Sequence, residues 1–580
     1  MKYKIRNEEV LKNSENLLEA ICKSRGVDYN MLPSFIYPKK DVIQPPEIYK
    51  NLIECCDIIL SAIKNNERIC FVVDCDVDGY CSSSMMINYL REVLGYCNIT
   101  WILQPRKQHG LNESIMESII NSGCNIIIIP DASSNDFEQH KKLKELGKTV
   151  LVIDHHEADR YSENAIVVNN QLNSIGNKTL SGAGMVMKVL EYLDFLNGTN
   201  KAHEYMDLCS IALVADCVPT IELETRYYVI NGLANVQNPL ILQLLDFNKE
   251  RSFEQISFSI APVINAFVRV GSDEEKLDLF NSMVGFNYKR TISIRGQGEF
   301  DLDLPEYISR LGSRIKSRQN SRVEKAIKTS EIKADGLQFT FCIIDEFADR
   351  DLTGLIGNKI VDKYEKPTLV LKDYGDVYSG SGRSPDTFIN FKSFLNDTGL
   401  FELCEGHQGA FGVIIKKENF EKLVEFSKNI SEEEMKENQK YIVDKAYIDK
   451  VSAFDIMSVS ELNQHWGRGF DKPQFYIELN DLQKAEMKVC GAKRDTIRIK
   501  FDNITYIKFK CSKEEIEEFE RENKQQIQII GTFDVNEYYD NLYPQVEIKR
   551  MKSKFVEKSK KYELHGSEVA KNCYFGGIKW

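Results

Sequence analysis

Short apolar runs recur along the first half of the chain, and each ends on an acid. Ile69-Cys70-Phe71-Val72-Val73 meets Asp74, the four isoleucines 126–129 lead to Pro130-Asp131, and Thr149-Val150-Leu151-Val152-Ile153 meets Asp154. Amphipathic stretches lie between them. Continuous β-rich runs separated by helices predict buried parallel strands. Ligands of open α/β sheets bind at the carboxyl ends of the strands, so this pattern brings three acids to one edge. A fourth apolar segment, residues 210–215, delivers Asp216 and fits strand or helix equally well.

The pattern divides the rest of the chain. Residues 1–50 read as helix followed by loop, up to the Pro45-Pro46 break. Residues 51–305 carry the acid-tipped α/β unit. A basic helix is expected over 306–335, with Arg310, Arg314, Lys316, Arg318, Arg322, Lys325 and Lys328 around Glu324. It fits a solvated linker and a strand-guiding helix equally. A second, smaller α/β unit follows over 336–430, then a charged helical connector over 431–455. Residues 456–552 alternate with period two over several segments, as a small β-barrel does. A tail closes the chain at 553–580, with a basic lead-in at 549–561 that fits a partner-binding or a solvated segment.

Composition narrows the class. The chain has 580 residues, too many for one core. Its 87 acids against 75 Lys and Arg give a net charge of −12, which excludes a wholly basic nucleic-acid coat but leaves room for a local basic groove. The 15 cysteines form no CxxC pair and fit no zinc spacing, so reduced thiols and a cytoplasmic location are expected. The first residues lack the apolar core of a secretion signal, and no run approaches the ~20 apolar residues of a membrane span.

The chemistry concentrates in two motifs. Asp74-Cys75-Asp76-Val77-Asp78-Gly79 resembles the opening of a calcium EF-hand, but the twelfth position of such a loop is Met85 rather than Glu, and the preceding run is β-like. What remains is a strand-end turn with alternate carboxylates able to face one way, and Ser82-Ser83-Ser84 opening a helix. The second motif is Asp154-His155-His156. Imidazoles mixed with carboxylates suit Mn²⁺ or another first-row ion better than Ca²⁺. Acids and histidines grouped in this way serve two-metal phosphoester hydrolysis.

Asp74-Cys-Asp-Val-Asp-Gly, Pro130-Asp131, Asp154-His-His and Val214-Ala-Asp216 follow in the order of the DHH phosphoesterase superfamily, and more narrowly the chain resembles the RecJ single-stranded-DNA-specific exonucleases. Arg106 with His109-Gly110-Leu111-Asn112, the Gly-rich stretch 180–184, and the segment from Pro262 through Asn265 to Arg269 are similar to further family elements. Ser379-Gly-Ser381-Gly382-Arg383-Ser384 and Gly406-His407-Gln-Gly resemble the elements of the associated DHHA1 domain, and residues 466–475 resemble the start of the family's OB-fold. The chain departs from the family pattern at Ala132-Ser133 for Cys-Gly, Gln108-His109-Gly110 for GYG, Asn169-Asn170 for Asn-Pro, and Glu405 for a Gly.

The resemblance implies a parallel-sheet DHH domain, a smaller α/β DHHA1 domain and an OB-like β-barrel. It implies a metal-dependent exonuclease that removes nucleotides from single-stranded DNA from the 5′ end, in DNA repair or recombination. Asp76, Asp78, Asp131, His155 and Asp216 would hold two divalent ions, Mn²⁺ or else Mg²⁺, with Asp74 as ligand or orienter. His156 would touch the phosphate. Arg106, Asn265, Arg269, Arg383, Gly406 and His407 would bind the strand, and Ser381 and Gly382 would offer backbone N–H groups. Single-stranded DNA is the expected partner, with a single-strand-binding protein or a helicase as possible companions and no membrane; a monomer is expected. Two other readings are a phosphodiesterase of short oligonucleotides or cyclic dinucleotides, and a scaffold without activity. Between 484 and 510, eight basic residues face three acids, with Phe501, Tyr506 and Phe509 interleaved, either as base-stacking groups or as barrel core.

Overall fold

The computed structural model describes residues 1–555 except 106–108, 246–250, 295, 389, 432–434, 436–439 and 540. Arg106, Gln108, most of the 432–437 run and the tail from 556 lie outside the described residues.

The acid-tipped runs are strands, as their unbroken apolar character requires. β1 (Ile69–Val73), β2 (Ile99–Leu103), β3 (Ile126–Pro130), β4 (Thr149–Asp154) and β5 (Ile166–Asn169) form an all-parallel sheet in the order β2-β1-β3-β4-β5. Every residue of β1 and β3 is buried, because helices cover both faces. α1 (Val77–Glu92), α2 (Gly182–Asn197) and α3 (Met206–Ala215) pack together in the main core. Residues 210–215, left open between strand and helix, are therefore helical, and Asp216 caps the C-terminus of α3.

One local expectation needs correction: the helix after the strand-end turn starts earlier, at Val77. Asp74 follows β1, Asp76 is the N-cap of α1 and accepts the Gly79 N–H at 3.0 Å, and Asp78 sits in the first turn. Accordingly Ser82, Ser83 and Ser84 lie buried inside α1 rather than opening it.

α4 (Ala261–Val270) packs on the long helix α5 (Leu304–Thr329), which leads into the second unit. Three basic groups of α5 form ion pairs: Arg310 with Glu306 at 2.7 Å, Arg318 with Glu275 at 2.7 Å and Arg322 with Asp349 at 3.0 Å, while Glu324 pairs with Lys359. The second unit contains β6 (Glu331–Lys333), β7 (Thr340–Ile344), α6 (Thr353–Tyr364), β8 (Thr368–Asp373), β9 (Val377–Arg383), β10 (Phe401–His407) and β11 (Ala410–Lys416). Its sheet runs β10-β11-β9-β8-β7-β6, and only β7 and β8 are parallel.

The third unit is a seven-stranded mixed sheet. Its strands are β12 (Lys445–Ile448), β13 (Phe475–Leu479), β14 (Glu486–Cys490), β15 (Thr496–Phe501), β16 (Ile504–Lys508), β17 (Lys524–Tyr538) and β18 (Asn541–Phe555), in the order β12-β13-β17-β18-β16-β15-β14. The connector read as helical over 431–455 thus contributes β12 to this sheet, and its Tyr441–Val443 strand pairs with Tyr3–Ile5. The N-terminal segment is equally integrated. Leu17, Ile21 and Phe35 belong to the core of the third unit, and Arg25 forms a buried ion pair with Asp444 at 2.7 Å. Buried Arg226 donates to the carbonyls of Phe35 (2.6 Å), Thr220 (3.3 Å) and His465 (2.8 Å), so one side chain ties the N-terminal segment, the first unit and the third unit together.

Candidate metal centre and phosphate clamp

The strand ends of the parallel sheet converge on one cluster. His155 Nε2 lies 3.2 Å from Asp131 Oδ1, 3.7 Å from Asp78 Oδ2 and 3.7 Å from Asp216 Oδ2. Four sets of ligand atoms among the described residues have all members within 4.8 Å of one another: Asp74, Asp76 and Asp131; Asp78, His155 and Asp216; Asp131, His155 and His156; and Asp74, Cys75 and His109. All six residues assigned as metal ligands from the sequence are therefore brought together.

The start of α2 holds Asp78 in place. Its carboxylate accepts the N–H groups of Gly182 (2.7 Å) and Ala183 (2.8 Å) and the Ser181 hydroxyl (3.1 Å), using the unpaired N–H groups and positive pole of a helix terminus. Residue 182 must be glycine, because a Cβ there would collide with the Asp131 carboxyl group. Gly79 is required for the same reason, since its Cβ would come within 2.6 Å of the Asp74 Cβ. Asp131 itself has φ +68° and Ser133 φ +82°, a left-handed turn at the tip of β3.

The Asp154 carboxylate is taken up by the turn that follows it. It is buried and accepts the His155 N–H (2.7 Å), the His156 N–H (3.2 Å), His156 Nδ1 (2.8 Å) and the Ser134 N–H (3.1 Å). Burial would raise its pKa, but these bonds and the two imidazoles hold it well below the usual carboxylate range. Burial likewise lowers His156, yet its bond to Asp154 outweighs this and raises it to about 9. Asn169 braces the turn by donating to Ser134 Oγ (2.8 Å) and to the His156 carbonyl (2.9 Å). His109 Nδ1 lies 2.6 Å from Asp74 Oδ2 and orients that acid. The sequence motifs contained Asp154, His109 and Asn169 without revealing these roles. Such second contacts around ligands depend on chain segments meeting in space.

The electrostatics fit a hard cation. Burial first, then Asp78 and Asp76, push Asp131 well above the carboxylate range and Asp216 up to about 8. Asp74 is also raised by burial. The fully buried Oδ1 atoms of Asp74 and Asp131 have no hydrogen-bond partner among the described residues. Clustered, desolvated and partly unpartnered carboxylates beside an imidazole are the donor set of a divalent first-row ion.

Cations face this cluster. Arg269 on α4 is lowered by burial and feels both Asp351 and Asp76. Arg383 lies across α6, where a Cβ on Gly357 would come within 2.8 Å of its Cγ, and burial and the charge of Arg269 lower it to about 10. His407 is exposed at the end of β10. Asn265 is half-buried on α4, and the Gly406 carbonyl accepts from Lys392 at 2.7 Å. The expected N–H groups of Ser381 and Gly382 need correction: both lie inside β9, which is paired on both sides, so the ladders take up its amides. Ser381 instead presents a hydroxyl 2.9 Å from Thr353 Oγ1, and Gly382 makes room for the Phe411 ring.

The third unit carries a groove of about 1670 Å³ lined by Arg498, Lys500, Asn536, Tyr538 and Tyr543 among others, and it shares no residue with the metal centre. Phe501 and Tyr506 are core residues, whereas Phe509 is 52% exposed.

Comparison with known proteins agrees with this architecture. The profile of the DHH family N-terminal domain matches residues 68–213, and that of the RecJ OB domain matches residues 449–550. YorK of the SPbeta prophage in Bacillus subtilis, named as a single-strand DNA-specific exonuclease, is 33% identical over 573 residues, covering 94% of this chain and 97% of YorK. The single-stranded-DNA-specific exonuclease RecJ of B. subtilis is 24% identical over 552 residues, covering 92% of this chain and 67% of that protein. The crystal structure of Thermus thermophilus RecJ in complex with Mn²⁺ superposes with a TM-score of 0.70 at 16% identity, covering 96% of this chain and 79% of the other.

Proposed function

The chain belongs to the RecJ-like branch of the DHH family, and on that footing we propose that it hydrolyses phosphodiester bonds of single-stranded DNA, releasing nucleotides from the 5′ end. The observation that carries this reading is the meeting of Asp74, Asp76, Asp78, Asp131, His155 and Asp216 within the field of Arg269, which in turn neighbours Arg383. One side suits divalent cations and the other suits a polyanion.

The acids and His155 would hold two divalent ions, Mn²⁺ or Mg²⁺. Those ions supply Lewis-acid stabilisation of the phosphoryl oxygens and activation of water. The chain's own groups do the rest. Asp154 would fix His156 through Nδ1, leaving Nε2–H to donate to a phosphate oxygen. Arg383 and Arg269 would grip a neighbouring phosphate, with the bidentate geometry open to a guanidinium. The helix start at Gly182 fixes Asp78, so the ligand geometry is set before substrate arrives. Among the described residues no helix is long and apolar enough to cross a membrane, and all 14 described cysteines are free thiols.

The test is a time course on 5′- and 3′-labelled single strands and duplexes, in DNA and RNA, with Mn²⁺. Stepwise release from the 5′ end of single-stranded DNA is expected. Equal cutting of duplex, or internal cuts, would refute the reading. Preference for two to five nucleotides over long strands would move it to the short-oligonucleotide class.

A further inference from the structure

A turn from the third unit reaches the rim of the metal centre. Gly467 and Phe470 exchange backbone hydrogen bonds at 3.0 Å each, and Arg468 and Gly469 form the tip. Gly469 has φ +83°, as the reversal requires. Two contacts fasten the turn. Trp466 and Phe470 are buried and stacked at 4.6 Å between ring centroids. The Arg468 carbonyl accepts from the Thr220 N–H (2.8 Å) and the Thr220 hydroxyl (3.1 Å), just downstream of Asp216.

The Arg468 backbone is thus built into the first unit while its side chain is exposed. The guanidinium stands 3.5 Å from His407 Nδ1 on the second unit. Its charge lowers His407, after burial. Lys392, bonded to the Gly406 carbonyl, adds a second positive group beside the neutral His407 ring. Among the described residues neither Arg468 nor Lys392 forms an ion pair. Two cations gathered around an imidazole without a salt-bridge partner, next to an acid cluster that suits divalent metals, favour a bound anion.

We propose that Arg468 is a substrate-contact residue: with His407 it holds one backbone phosphate of the bound strand beside the scissile one, so the third unit completes the active site. The turn then does more than lengthen the strand-binding surface. It makes hydrolysis depend on the docking of the third unit against Thr220.

Resting on the exonuclease reading, this assignment is tested with the full chain as wild type, Arg468→Ala and Arg468→Lys. The substrates are single-stranded oligonucleotides carrying one neutral methylphosphonate linkage at successive positions from the 5′ end, with Mn²⁺. Arg468→Ala should lower kcat/KM by about tenfold or more. One methylphosphonate position should slow the wild type by a similar factor and slow Arg468→Ala no further. Arg468→Lys should recover part of the rate, and an unchanged thermal midpoint would show that the turn stays docked. Turnover of Arg468→Ala at the wild-type rate, or equal penalties at every methylphosphonate position in both proteins, would overturn the assignment. If the wild type degrades no single strand, the exonuclease reading fails by itself. The contact is then read by fluorescence anisotropy of the same oligonucleotides on Asp131→Asn protein with and without Arg468→Ala. A position-specific effect lost with Arg468 supports it, and identical affinities overturn it.

Discussion

Asp131 Oδ1 lies 3.2 Å from His155 Nε2 yet has no hydrogen-bond partner among the described residues. A carboxylate left in this state, buried beside Asp78, Asp76 and Asp74, costs stability unless a cation shares it. Asp131→Asn keeps the shape and removes the charge. In EDTA the variant should melt at or above the wild-type midpoint, because one buried repulsion is gone. With Mn²⁺ its nucleotide release should fall about a hundredfold or more. Isothermal titration with Mn²⁺ alone should show weakened uptake. Full turnover with normal Mn²⁺ uptake would remove Asp131 from the ligand set.

Ser133 holds φ +82° where the family pattern carries glycine, and its buried hydroxyl has no hydrogen-bond partner among the described residues. The left-handed conformation costs an L-residue about 1 kcal/mol more than glycine. Ser133→Gly should therefore stabilise the protein by about 0.5–1 kcal/mol, despite the greater entropy of glycine in the unfolded chain. Urea denaturation measures this directly. A lower midpoint would mean that Ser133 makes a contact when metal or substrate is bound.

Phe501 and Phe509 are eight positions apart in the sequence and opposite in environment, 5% and 52% exposed. Phe501→Ala should destabilise the third unit by about 3–5 kcal/mol, as for other large core truncations. Phe509→Ala should leave the melting midpoint nearly unchanged and weaken single-strand binding by about 1–3 kcal/mol, the worth of one stacked base. Anisotropy and calorimetry on the same two proteins separate the effects. A fall in stability with unaltered DNA affinity for Phe509→Ala would assign that ring to structure as well.

The acids were legible because strand ends and a helix cap fix their positions within a few residues. Asp74, Asp131 and Asp154 follow apolar runs that can only be buried strands, and the sheet order then brings them together. The grouping depends on local pattern plus one topological rule. What stayed hidden depends on distant segments meeting. Asp78 needs Gly182 and Asp74 needs His109, and no periodicity encodes those meetings. Residues 17–36 show the same limit: their helical pattern was visible, but not that the apolar face completes the core of the third unit.

His465 sits in the seam where Arg226 joins the units, and Arg226 donates to its carbonyl at 2.8 Å. Burial first, then the charge of Arg226, push the imidazole down to about 4. Above pH ~6.5 the ring is neutral in both folded and unfolded chains, and it does not affect the balance. As pH falls from 6.5 towards 4, the unfolded chain takes a proton that the folded chain refuses, so stability falls with pH across that window. The ring also meets Tyr37 edge-on at 5.3 Å, a contact that phenylalanine can keep. His465→Phe should therefore leave the melting midpoint at pH 7.5 nearly unchanged and make its decline between pH 6.5 and 4.5 shallower than in the wild type. Scanning calorimetry in EDTA removes pH-dependent metal release and leaves the acid cluster's titration common to both proteins, so it reads the difference, and parallel declines in the two proteins would exclude His465 as a source of acid sensitivity.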